Sequence, residues 1–76
     1  MKTIKISLTL AEKVKDFVSI VSRYPFDIDL RCGRFVIDAK SLLGIFSLDL
    51  SKPLTLEAHS ENCDALFAEL SKFEPK

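Results

Sequence analysis

Asp38-Ala39-Lys40-Ser41-Leu42-Leu43-Gly44-Ile45-Phe46-Ser47-Leu48 is the stretch on which the fold turns. Serine caps helices well because its hydroxyl accepts a free backbone N–H of the first turn. Ser41 to Phe46 therefore reads as a short helix, stopped between Gly44 and Asp49. A helix this short cannot bury Leu42, Leu43, Ile45, Phe46 and Leu48 together. Some of that apolar surface is left to solvent, as at interaction sites, and Leu42, Leu43 and Phe46 are its candidates. The plainer alternative has Leu43 and Phe46 covering the edge of the core. Lys40 reads as a solvated flank. A phosphate on Ser41 would meet free N–H groups and the positive end of the helix, which makes Ser41 a candidate for modification as well as a cap.

Working upstream, Phe26, Ile28 and Leu30 alternate with Asp27, Asp29 and Arg31, the period of a strand with one buried face. Cys32-Gly33 marks a tight turn into a further strand, Arg34 to Asp38, so the two form an antiparallel hairpin. Before them, Leu10, Val14, Phe17, Val18 and Val21 recur at helical spacing. Arg23-Tyr24-Pro25 ends that helix, since the residue before proline is driven out of the helical region. Thr9-Leu10-Ala11-Glu12 reads as its capping box. Residues Thr3 to Leu8 alternate again, with Ile4, Ile6 and Leu8 on one face.

Downstream, Pro53 opens a fourth strand with Leu54, Leu56 and Ala58 inward and Thr55, Glu57 and His59 outward. Ser60 reads as the cap of a last helix with the stripe Cys63, Leu66, Phe67, Leu70 and Phe73, and Glu61 and Asp64 suit its positive end. The order is strand, helix, strand, strand, short helix, strand, helix. Alternating strands imply one covered and one wet sheet face, so both long helices lie on the same side. The predicted class is α+β: an open-faced sandwich with a four-stranded antiparallel sheet and helices on one face (βαββαβα).

Composition agrees with one unit spanning 1–76. Of the 76 residues, 47% are hydrophobic, with six Phe, two Gly and three Pro, which favours a packed core over linker or tail. Eleven basic and eleven acidic residues cancel, so no overall field draws nucleic acid or an anionic membrane. Cys32 and Cys63 lack motif spacing and no secretory signal is visible, which points to free thiols in the cytoplasm. No apolar run nears the roughly 20 residues of a membrane span.

The Lys40-Ser41 pair followed by Leu42-Leu43 and Gly44 closely resembles the short second helix of HPr, the histidine-containing phosphocarrier of the bacterial sugar phosphotransferase system. The element order is that of the family along essentially the whole chain, and Asp16-Phe17-Val18 is a further local echo. The resemblance implies a regulatory serine at Ser41. It also implies an apolar docking patch for HPr kinase, the first enzyme of the phosphotransferase system and a catabolite-control transcription factor. It implies no enzyme activity, no cofactor and no metal.

One part of the family pattern is missing. HPr proteins carry Gly-hydrophobe-His-x-Arg-Pro where the first strand meets the first helix. Here that junction is Ser7-Leu8-Thr9-Leu10-Ala11-Glu12-Lys13-Val14. Counting back from Ser41 without gaps puts Leu10 or Ala11 at the histidine position, Glu12 at the arginine and Lys13 at the proline. Carrying phosphate through histidine needs an exposed imidazole nucleophile and donors or cations for the group. A carboxylate in that turn repels phosphate. The expected protein is thus HPr-like without competent phosphocarrier chemistry, a regulatory or protein-binding module with a switch at Ser41.

His59 is the only histidine. The first and fourth strands run antiparallel in this architecture, so His59 sits at the far end of the sheet from the missing site, as an exposed strand-end residue without a second metal ligand. Asp27 and Asp29 belong to a solvated sheet face that Arg31 continues. Two alternatives have other signatures. A carrier using a different residue would fall back on Ser7 or Thr9, the hydroxyls nearest the junction. A nucleic-acid-binding module would carry aromatics on the open sheet face, where Phe35 is the candidate. No phosphate loop, zinc cluster or nucleophile triad is present.

Overall fold

The computed structural model describes residues 2–75, and its strands and helices follow the predicted order. The strands are β1 (Lys2–Ile6), β2 (Ile28–Cys32), β3 (Phe35–Asp38) and β4 (Leu54–Ala58). The helices are α1 (Ala11–Val21), α2 (Leu42–Phe46) and α3 (Asp64–Leu70), with a 3-10 turn at Ser71–Phe73. All neighbouring strands are antiparallel, in the order β1-β4-β2-β3, so β1 and β3 are the edges.

Register explains the two faces. Ile4, Leu56, Leu30 and Ile37 form one row across the sheet, and Thr3, Glu57, Asp29 and Asp38 form the next. Side chains alternate along each strand, so the first row faces the core and the second faces water. The inward residues Ile6, Ile28, Leu30, Leu54, Leu56 and Ala58 join Val14, Phe17, Ile20 and Val21 of α1 and Leu66 and Leu70 of α3 in one cluster. Helices therefore cover one face alone, the open-faced sandwich that the alternation predicts. On the open face, Arg31 pairs with Glu57 (3.3 Å) and Lys5 donates to Thr55 Oγ1 (2.6 Å).

Gly33 has φ 59°, a left-handed conformation open to glycine at little cost, and it makes the two-residue β2–β3 turn. The same hairpin corrects the position of Phe35. It pairs with Cys32 and shares a face with Ile37, so it lies on the helix-covered side and not among the open-face residues. Among the described residues no aromatic side chain stands on the open face of the sheet.

Both predicted caps of the long helices are corrected. Leu10, not Thr9, is the N-terminal cap residue of α1, with extended backbone (φ −118°, ψ 140°) and no side-chain cap bond. Ser7 N–H is already bound to the Phe73 carbonyl (2.7 Å) and Leu8 is fully buried, so tertiary anchoring fixes where the helix starts. Glu12 then falls one position short of the site from which it would complete a capping box. Likewise Ser60 Oγ accepts the Asn62 N–H (3.1 Å) in a local turn, and α3 starts later, with Cys63 as its cap residue. Ile20, absent from the predicted α1 stripe, is buried, whereas Leu10 is 56% exposed.

Beyond α1 a polar cluster ties the loop to α3: Arg23 binds Glu69 (2.8 Å), and the Tyr24 hydroxyl donates to the same carboxylate. The bond holds the Glu69 carboxyl below its ordinary pKa and the Tyr24 phenol above its own. A lowered carboxyl pKa stabilises the fold above about pH 4, the unfolded carboxylate value, and the gain fades as pH falls through it. A raised phenol pKa stabilises below about pH 10 and the gain fades as pH rises past it. Tyr24→Phe is expected to flatten both arms of the stability profile, measured as the urea midpoint at acid, neutral and alkaline pH.

Candidate functional site

The α2 segment is built by its own sequence. Ser41 stands at its N-terminus with extended backbone, and its Oγ accepts the Gly44 N–H at 3.2 Å, the cap predicted for it. Gly44 suits this closeness, because a Cβ there would lie 3.1 Å from Ser41 Oγ. Ser47 Oγ closes the other end by donating to the Gly44 carbonyl (2.6 Å). Ser41→Ala removes the cap and is expected to cost about 1 kcal/mol, read from a denaturant titration.

The apolar residues of α2 divide three ways. Ile45 is fully buried, and Leu42 is corrected: a candidate for the exposed surface, it lies half-buried against the core because its side of the helix faces inward. Leu43 is 83% exposed and Phe46 43% exposed. Three residues apart, these two are neighbours on the helix surface and form a small apolar face. They do not cover the core's edge.

Lys40 is corrected. It is not a solvated flank: its Nζ donates to the carbonyls of Tyr24 (2.7 Å) and Phe26 (2.9 Å), in a half-buried position. The ammonium is spent on stapling the loop after α1 to the start of α2. Nothing in residue spacing signals this, since the loop and Lys40 meet only in the folded chain. Asp38 completes the approach, its Oδ1 accepting the Lys40 N–H at 2.9 Å.

The β1–α1 junction has a different character. A cavity of about 280 Å³ lies there, lined among others by Ser7, Thr9, Lys13, Lys72 and Glu74. Lys72 is drawn to Asp16 (2.7 Å) and sits 5.5 Å from the centre of the Phe73 ring. Glu12 occupies the first turn of α1. The junction holds no imidazole. His59 follows the end of β4 that pairs with Lys2, the start of β1, so the length of β1 separates it from the junction. Its Nε2 lies 2.9 Å from Asp29 Oδ2 and its backbone N–H donates to Asp27. The Asp29 partnership escaped the sequence reading, although both residues fall on the predicted outward face.

A larger cleft, about 810 Å³, opens between the β2–β3 turn and the chain after α2, with Phe35, Ile37, Leu48, Arg34 and Lys52 among its walls. Lys40, Ser41, Leu42, Leu43 and Phe46 do not line it, whereas Phe35, the candidate stacking aromatic, does. Cys32 and Cys63 are free thiols, and among the described residues no cluster of His, Cys, Asp or Glu is arranged to hold a metal ion. Nor is any described helix long and apolar enough to cross a membrane.

No protein-family model matches the sequence, and no match to a curated protein is significant. Solved structures do match. The fold superposes on HPr-C-His from Thermoanaerobacter tengcongensis with a TM-score of 0.79 at 24% identity, covering 95% of this chain and 89% of that one. It superposes on the phosphocarrier protein HPr of Bacillus anthracis str. Ames with a TM-score of 0.73 at 26% identity, covering 96% and 94%. Over nearly its whole length, then, the chain is similar to HPr phosphocarrier structures and shares their fold.

Proposed function

We propose that this chain is a divergent HPr-family protein that does not carry phosphate on histidine and works as a docking module, regulated at Ser41. The observation that carries this reading is the place of the only histidine, at the end of the sheet remote from the β1–α1 junction and beside Asp29. The junction keeps a cavity but presents Glu12 in the first turn of α1, where a carboxylate opposes an incoming phosphoryl group. What stays available is the Leu43–Phe46 face on a capped helix. An exposed apolar pair of this kind is suited to burial against a partner.

HPr kinase, the first enzyme of the phosphotransferase system and a catabolite-control transcription factor are the partners to try, in a bacterial cytoplasmic setting. The kinase would transfer the γ-phosphoryl group of ATP to Ser41 Oγ, forming a phosphate ester and releasing ADP and the hydroxyl proton. The product adds negative charge directly beside the apolar face, which changes what that face accepts. Lys40 is held by two carbonyls and does not neutralise it.

The test is intact-protein mass after incubation with kinase and ATP, and separately with phosphoenolpyruvate and the first enzyme. One phosphoryl group from the kinase, absent in Ser41→Ala, and none from the first enzyme is the expected result. Phosphoryl transfer from the first enzyme would overturn the non-carrier assignment. Leu43→Asp should weaken partner binding by at least about tenfold while leaving the melting temperature unchanged.

A further inference from the structure

The two edges of the sheet are unequally guarded. β1 carries Lys2 and Lys5 and no carboxylate, so a second β1 beside it would bring ammonium groups together, a common protection of exposed edges. β3 has no such guard. Its sequence is Phe35-Val36-Ile37-Asp38, preceded at the turn by Arg34, and Phe35 and Val36 are 65% and 46% exposed. Among the described residues Arg34 has no ion-pair partner.

The backbone of β3 is half used. Ala39 N–H donates to the Ile28 carbonyl (2.8 Å), and in an antiparallel ladder every second residue bonds to the neighbouring strand. Phe35, Ile37 and Ala39 thus face β2, while Val36 and Asp38 turn their backbone groups to the open edge. The Asp38 carbonyl takes the Ser41 N–H (3.0 Å), which leaves the Asp38 N–H and both groups of Val36.

We propose that two copies of this chain pair antiparallel through β3, Val36 opposite the partner's Val36, to make one continuous sheet. In this register each Val36 N–H meets the partner's Val36 carbonyl, and each Asp38 N–H meets the partner's Arg34 carbonyl. Phe35 lies opposite the partner's Ile37 on the helix side, closing apolar surface over both. Arg34 lies opposite the partner's Asp38, so both ends of the paired segment carry opposite charges. A shift by one residue in either strand would lose the charge match and turn bonded groups away from each other. The contact is two-fold and self-complementary, and it does not use the Leu43–Phe46 face. It is short, so the association is weak and follows concentration.

Sedimentation velocity on the full chain from about 10 µM to about 1 mM is the first test, with a growing dimer fraction expected. Val36→Glu places two carboxylates directly opposite each other and should weaken the dimer at least about tenfold, with circular dichroism unchanged. Arg34→Glu and Asp38→Lys each set like charges against each other and should be monomeric alone. Mixed, they restore opposite charges at both ends and should form a heterodimer. A monomer at every concentration overturns the proposal. So does a dimer indifferent to Val36→Glu, or two variants that fail to associate on mixing.

Discussion

Phe17→Ala is expected to lower folding stability by about 4 kcal/mol, a large share of the roughly 5–15 kcal/mol available to a small domain. Phe17 is fully buried in the middle of α1, and its ring meets Phe73 edge to face at a centroid distance of 5.8 Å and an angle of 83°. Truncation removes the transfer free energy of the ring and leaves a cavity that rigid neighbours on α1, α3 and the sheet cannot fill. The edge-to-face pairing is lost as well, at about 0.5–1.5 kcal/mol in pairs of this kind. Phe73 also accepts the Ser7 N–H through its carbonyl, so loosening its ring should free the β1–α1 junction. Urea unfolding followed by circular dichroism measures the loss. Hydrogen exchange at the Ser7 amide should speed up by more than global stability alone requires. An unchanged midpoint would mean that the Phe17 site repacks.

Lys40→Met is the second large effect, about 2 kcal/mol, from removal of a half-buried ammonium that bonds two backbone carbonyls. Methionine keeps most of the chain's apolar stem, so the loss reports the hydrogen bonds more than the packing. Lys40→Arg should recover part of it. Its planar fork keeps the charge but does not place one nitrogen between the Tyr24 and Phe26 carbonyls as a compact ammonium does. Because the staple sits next to Ser41, Lys40→Met should also slow the proposed phosphorylation of Ser41, whereas a solvated flank would leave the rate unchanged. Thermal unfolding and the initial rate of phosphorylation, compared with Lys40→Arg, separate the two cases.

The legible parts of the fold were those with a local cause. Alternation in Phe26 to Arg31 and in Leu54 to His59 places the strands, because side chains on a pleated strand point to opposite faces in turn. Gly33 places the hairpin through its left-handed backbone, and Ser41 places α2 through a bond to an N–H three residues on. The exposed pair Leu43 and Phe46 follows from simple crowding, since five large apolar residues cannot share the covered side of one short helix. Among the candidate site residues, Ser41, Leu43 and Phe46 therefore stand where local pattern put them, whereas Leu42 turns half-buried against the core.

The sequence by itself thus determined the element order, the buried faces of β1, β2 and β4, the α2 cap and the absence of an imidazole at the β1–α1 junction. These depend on residue identity and on neighbours within about one helical turn. Tertiary structure alone decided where α1 begins, that Lys40 is a staple and that His59 has Asp29 as partner. Each of these is a contact between segments far apart in sequence, Ser7 with Phe73 and Lys40 with Tyr24 among them. Their energies outweigh local capping preferences of about 1 kcal/mol, and no local pattern encodes them.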